Sequence, residues 1–240
     1  MKMKFESLPR LIHFFGPDGA GKTTQVDLLV DTIRQRGIPV QKYWVRAHHT
    51  LAFLLWRFFS KVGFYRTIIN PFGPPGRIPA VDRNKVLRWF WSAVEFLGVL
   101  PLIAQANYLM RKGSVLVAER YLLDTVTTIA YFLNDFRFLK SWTSSILLRF
   151  LPRNAIFIFL DADYSTIFRR RAPLITKPHL RKQRKGYGTI PRCPVEPKSF
   201  IDFQRKAYWT LAKSYNPLII DTSDNSVDET FKMIIRYLRL

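Results

Sequence analysis

Leu11-Ile12-His13-Phe14-Phe15-Gly16-Pro17-Asp18-Gly19-Ala20-Gly21-Lys22-Thr23-Thr24-Gln25 says more about this chain than any other stretch of it. Its first five residues form an apolar run suited to a buried strand, and residues 25–36 have helical character. Between the two lies Gly-x-x-x-x-Gly-Lys-Thr, which in that setting is a phosphate-binding P-loop. The glycines let the backbone bend tightly with no Cβ in the way. Successive N–H groups then face one anion, and the positive end of the following helix dipole reinforces them. By the same logic Lys22 reaches the outer phosphates and the Thr23 hydroxyl sits on Mg²⁺.

Working outward, apolar runs at 11–15, 40–45, 115–118, 156–160 and 218–220 read as strands, with helical stretches between them. That alternation predicts an α/β fold: a five-stranded parallel sheet with helices on both faces, of the P-loop NTPase type. Gly37 should end the first helix in a left-handed conformation. An aromatic helix is expected over 51–62, a Pro- and Gly-rich loop over 70–79, and a long helix from an Asp82 cap to Lys112 that bends near Gly98 and Pro101. Helices are also expected after Tyr121, before Pro152, over 198–214 and from Ser226. Asp161 and Asp163 read as helix caps rather than metal ligands. His13 reads as a core histidine. His48 and His49 lie near the acceptor edge but have too few partners for a metal site.

Residues 169–192 hold nine Lys or Arg and no acid, with Pro173, Pro178, Gly186, Gly188 and Pro191 interrupting them. Such a stretch suits a basic flap better than a helix. One domain over 1–240, with a lid at about 169–197, accounts for the whole chain. The formal charge is +21, from 38 Lys and Arg against 17 Asp and Glu. This balance favours polyanionic partners: nucleotides, nucleic acid or an anionic membrane surface. The single Cys193 excludes an internal disulfide framework and points to a reducing, cytoplasmic setting. The apolar run behind Met1–Arg10 is too short for a signal peptide. Residues 86–106 are strongly apolar, but Arg88, Glu95 and Pro101 interrupt them, so a buried helix is expected rather than a membrane span.

The segment 16–25 resembles the opening of thymidylate kinases, among the P-loop nucleoside monophosphate kinases. The resemblance continues through Glu119-Arg120-Tyr121, Leu160-Asp161 followed by Arg170, Arg205-Lys206-Ala207-Tyr208, and Ile220-Asp221. It implies an ATP-dependent kinase that phosphorylates a nucleoside monophosphate, dTMP foremost, with Mg²⁺. Gly16, Gly19, Ala20, Gly21, Lys22, Thr23 and Thr24, with Arg169, Arg170 and Arg171, would then bind ATP. Asp18, Arg46 and Arg120 would bind the acceptor, Thr23 and Glu119 the metal, and Lys22, Arg120 and Arg170 would be catalytic. Nucleotides would be its partners, and a homodimer is compatible with the family.

The chain departs from the family's pattern in four places. Glu119 stands where Asp is usual, and Gly19 stands where some members carry a P-loop arginine. Ala47-His48-His49 replaces Glu-Pro-Gly-Gly, and 93–98 has no base-reading arginine. Three of these touch the acceptor or metal side, so the donor half of the resemblance is the more complete. Two other readings follow: a P-loop kinase for another phosphorylated acceptor, such as a sugar or lipid-linked compound, and a nucleotide-dependent nucleic-acid-binding protein.

Overall fold

The computed structural model describes residues 8–45, 50–69, 76–173 and 195–240. At its centre is β1 (Leu11–Phe15), every residue of which is buried. Successive side chains of a strand point to opposite faces. Leu11 and Phe15 accordingly enter one core cluster, while Ile12 and Phe14 enter the other. A strand apolar on both faces needs cover on both, which the helices provide.

The sheet is parallel and five-stranded. Its other members are β2 (Val40–Trp44), β5 (Val115–Glu119), β6 (Ile156–Asp161) and β7 (Leu218–Asp221), in the order β2-β5-β1-β6-β7. Register sets Phe14 opposite Glu119 and Phe15 opposite Phe159, so the carboxyl ends of β5, β1 and β6 meet at one edge. On one face, α1 (Lys22–Gln35) and the final helix, α8 (Val227–Leu238), bury Val26, Leu29, Ile234 and Leu238. On the other face lie α3 (Lys85–Arg111), α4 (Leu122–Phe132) and α7 (Lys198–Tyr215). They bury Trp91, Ile103, Leu122, Val126, Tyr208 and Leu211. The remaining helices are α2 (Thr50–Lys61), α5 (Trp142–Leu148) and α6 (Tyr164–Arg171).

All five predicted strands are present, each within a residue of its expected ends. Gly37 ends α1 with φ 74°, its N–H bonded to the Arg34 carbonyl at 2.9 Å. Ser226 caps α8 in a reciprocal arrangement with Glu229.

Elsewhere local patterning misled. Part of the expected 70–79 loop is β4 (Gly76–Pro79), paired antiparallel with β3 (Tyr65–Ile68). Gly and Pro at its two ends hid a strand whose partner supplies the hydrogen bonds. Asp82 does not cap α3. It accepts from Arg66 Nη1 at 2.8 Å, and Asn84 caps the helix by accepting from the Leu87 N–H at 2.8 Å. α3 continues through Pro101, which has no N–H to offer the preceding turn.

The expected burial of α3 holds for one side only. Trp91, Val94, Val99, Ile103 and Met110 are in the core, but Val86, Trp89, Leu97 and Tyr108 are exposed. Among the described residues α3 alone is long and apolar enough to cross a membrane, yet its inner face is part of the fold's core.

Candidate active site

The loop from Gly16 to Gly21 rises from the end of β1 and turns into α1. Gly16, Gly19 and Gly21 have φ of 142°, 106° and 86°, values at which a side chain strains the backbone. Two of them are also confined by neighbours. A Cβ on Gly16 would collide with the Leu160 carbonyl of β6, and one on Gly19 would lie 2.7 Å from Ile167 Cγ2 and 3.2 Å from Arg171 Nε. The Thr222 hydroxyl, just after β7, lies between the Asp161 carbonyl at 3.0 Å and the Ala20 carbonyl at 3.3 Å, which sets the loop against the end of β6.

Lys22 is buried and folded back over the loop, donating to the carbonyls of Gly16 at 2.6 Å and Pro17 at 2.7 Å. Burial, with the Arg120 charge next, pushes its ammonium down to about 8. Arg120, at φ 65°, follows β5 and forms an ion pair with Asp18. Burial works against the guanidinium's charge, but Asp18 and Asp124 outweigh it and its pKa is raised. The Asp18 backbone N–H donates to Gln204 Oε1 of α7 at 3.1 Å. Asp18 therefore ties the loop to the end of β5 through its carboxylate and to α7 through its backbone N–H.

The Thr23 hydroxyl donates to Glu119 Oε1, bringing two oxygen donors together beneath the loop. Lys42 of β2 bonds Asp27 and lies 3.5 Å from Glu119 Oε2. Behind Arg120, Tyr208 donates to Asp124 Oδ1 at 2.8 Å, and His13 Nε2 lies 3.4 Å from Asp124 Oδ2. Burial, then the Asp124 charge, holds the Tyr208 hydroxyl well above its ordinary pKa, so it remains a donor. This buried trio fixes the start of α4 and the turn that presents Arg120.

A cavity of about 190 Å³ opens over the loop, lined by Gly21, Lys22, Thr23, Glu119, Arg120 and Arg171, among others. Of the three arginines in α6, Arg171 is the one that reaches it. Arg170 turns to the carbonyl and hydroxyl of Thr222, and Arg169 is exposed, 3.4 Å from Thr166 Oγ1. Thr24 lines the cavity as well. Arg46, His48, His49, Cys193 and residues 174–194 of the expected lid lie outside the described residues.

Asp163 caps α6, accepting from the Thr166 N–H at 2.7 Å. Asp161, expected to do the same, instead binds Arg205 through both oxygens at 2.8 and 2.7 Å and accepts from Trp209 Nε1 at 3.1 Å. It sits two residues before the N-cap position of α6 and faces α7. Lys42, Asp124, Gln204 and Thr222 escaped sequence reading. Only Asp124 left a trace, as the acidic third residue of α4.

The loop, its place on the central strand and the strand order define a P-loop NTPase fold. Within that class, the fold is the one seen in thymidylate kinases. The thymidylate kinase from Candida albicans is similar over 97% of this chain and 92% of its own, with TM-score 0.56 and 18% identity. The one from Ehrlichia chaffeensis matches over 96% of this chain and 98% of its own at 14% identity, with TM-score 0.48. No protein-family profile matches the chain, and no curated protein matches it.

Proposed function

We propose that this protein transfers the γ-phosphoryl group of ATP to a nucleoside monophosphate, with dTMP the first acceptor to test. The observation that carries the reading is the convergence of Lys22, Arg120 and Arg171 on one cavity above a glycine-bent loop. Phosphoryl transfer asks a protein mainly to align two anions, spread their charge and keep water out. In the reaction an oxygen of the acceptor phosphate bonds to the γ-phosphorus, the bond from that phosphorus to the β–γ bridging oxygen breaks, and ADP leaves.

Lys22, held over its own loop carbonyls, exchanges them for the β- and γ-phosphate oxygens of the arriving nucleotide. Arg120, oriented by Asp18, holds the acceptor phosphate with the planar fork that suits it. Asp18 faces the acceptor sugar, and Arg46 is proposed as a second clamp on its phosphate. Arg171 occupies the space beside Gly19, where a P-loop side chain would otherwise project. It is placed to neutralise the charge that develops on the transferring group.

Thr23 and Glu119 fit Mg²⁺, a hard cation that takes oxygen donors and needs few from protein when phosphates and water supply the rest. When bound, it would neutralise phosphate charge during transfer. The Candida protein is described as a thymidylate kinase of broad substrate specificity. A broader acceptor range suits this chain too. Arg88, the arginine nearest to the family's base-reading position, is committed to the Asp82 carbonyl and, at 3.6 Å, to Asp135.

Coupled ADP-release assays over dTMP, dUMP, dCMP, AMP, GMP and UMP test the reading. Turnover on at least one, above ATP hydrolysis alone, is expected, and its absence on all six ends the proposal. Lys22→Ala should lower that turnover by roughly a hundredfold or more, the scale of losing a preorganised charge at the reacting centre.

A further inference from the structure

Behind the pair formed by Thr23 and Glu119 stand two more charged side chains, to which the phosphotransfer scheme gives no task. Lys42 of β2 donates to Asp27 Oδ1 of α1 and forms an ion pair with Glu119 Oε2 at 3.5 Å. Thr23 donates to the other oxygen of Glu119. The four side chains thus run in series, Thr23–Glu119–Lys42–Asp27, with one ammonium between two carboxylates.

Two periodicities bring them together. Lys42 is opposite Val117 in the β2–β5 ladder, and Val117 shares a face with Glu119 two residues on. Val117 packs in the cluster beneath α1, so Lys42 and Glu119 both project toward that helix. Thr23 and Asp27 are four residues apart on α1 and therefore lie on the same side of it.

Burial separates the two ends of the series. The Glu119 side chain is 5% exposed, that of Lys42 29% and that of Asp27 53%. A buried carboxylate needs a countercharge close by. Lys22 and Arg120 also feel the charge of Glu119, but Lys22 is engaged with the loop carbonyls and Arg120 with Asp18. Lys42 instead pairs with Glu119 directly. Thr23 and Glu119 line the loop cavity, whereas among the described residues lining it Lys42 and Asp27 do not appear.

We propose that Lys42 is a positioning residue for the metal site, and that Asp27 sets how far its charge bears on Glu119. In the phosphotransfer reading, on which this rests, Thr23 and Glu119 hold Mg²⁺. An ammonium beside Glu119 neutralises the carboxylate before nucleotide binds, and it opposes a second cation there. Asp27 draws the ammonium off, which leaves Glu119 able to serve a metal. Together the two residues set how strongly Mg²⁺ couples to nucleotide binding. A plain ion pair tying β2 to α1 would alter stability and leave that coupling untouched.

Calorimetric affinity for a non-hydrolysable ATP analogue, measured in excess Mg²⁺ and again in EDTA, tests it. The ratio of the two affinities isolates the contribution of the metal, because a general change in triphosphate attraction cancels. Lys42→Met should raise that ratio about tenfold, the lower end of what a group behind a metal ligand is worth. Asp27→Asn should lower it about fivefold, the upper end for an exposed ion pair. In the Lys42→Met background, Asp27→Asn should leave the ratio in place within about twofold, since the carboxylate then has no ammonium to draw off.

A ratio unmoved by either single substitution, a ratio raised by Asp27→Asn, or an Asp27→Asn effect of equal size in both backgrounds would each overturn the inference and leave phosphotransfer standing. Wild-type protein that binds the analogue in neither condition would end both. Asp27 is exposed on α1, so the Asn variant decides the matter should Lys42→Met fail to fold.

Discussion

At the scale of the residue, Lys22 and Arg171 carry the most consequence. The buried ammonium of Lys22 is held near 8, so the nucleotide-free protein begins to lose that charge just above neutrality. Triphosphate binding needs the charged form. Affinity for an ATP analogue, followed by calorimetry, should therefore be flat below pH 8 and fall about tenfold per unit above it. The stability term has its own sign. The folded pKa lies below the unfolded value of 10.5, so the unfolded chain holds the extra proton between about 8 and 10.5. Stability from this group accordingly rises with pH across that window, while binding declines.

Arg171 lines the cavity, whereas Arg170 is engaged with Thr222. Arg171→Gln should thus reduce kcat by about a thousandfold, the lower end of the range for an arginine that meets transition-state charge. Arg170→Gln should act mainly through α6 and Thr222, with a much smaller change in kcat. Equal effects on kcat would remove the distinction drawn between them.

At the scale of the element, the ends of helices decide how the site is framed. Asp163 starts α6 and so sets where Arg171 arrives. Its carboxyl is held down to about 2, first by the Ser165 hydroxyl and then by the Thr166 N–H. A depressed carboxylate stabilises the fold at pH above its ordinary value of 3.8, and that contribution is lost as pH falls through about 2. Asp163→Ala should cost about 1 kcal/mol in denaturant unfolding, the usual value for an N-cap. It should also lower kcat through the displaced α6, and an unchanged kcat would separate α6 from the site. The β3–β4 pair shows the limit of local signals, because Gly76 and Pro79 resemble loop punctuation until a partner strand is in place.

At the scale of the whole molecule, +21 on 240 residues is a self-repelling distribution. Added salt screens it, and polyanions that bind the folded form relieve it locally. The melting temperature should rise with ionic strength over the physiological range in differential scanning calorimetry. It should rise further with ATP analogue at fixed salt, because a ligand of the native state alone stabilises that state. A melting temperature that falls with added salt would show that ion pairs such as Arg66–Asp82 and Arg205–Asp161 outweigh the repulsion.

The sequence by itself determined the parallel sheet, the helix after β1 and the loop between them. The reason is that strand periodicity, glycine at positive φ and capping chemistry all act within a few residues. The same holds for Gly37, Ser226 and the loop end of the site, where Gly16 to Thr24 are contiguous. Only the tertiary structure decided which charges meet. Asp18 with Arg120, Thr23 with Glu119, Asp161 with Arg205 and Tyr208 with Asp124 join positions 44 to 102 residues apart. It also decided that Arg171 rather than Arg170 faces the loop, since neighbouring positions on a helix point about 100° apart and the rotation of α6 is set by its packing through Ile167. Whether an apolar helix face is core or surface was settled in the same way. Periodicity marks a face as apolar, but only the neighbours packed on it remove it from water.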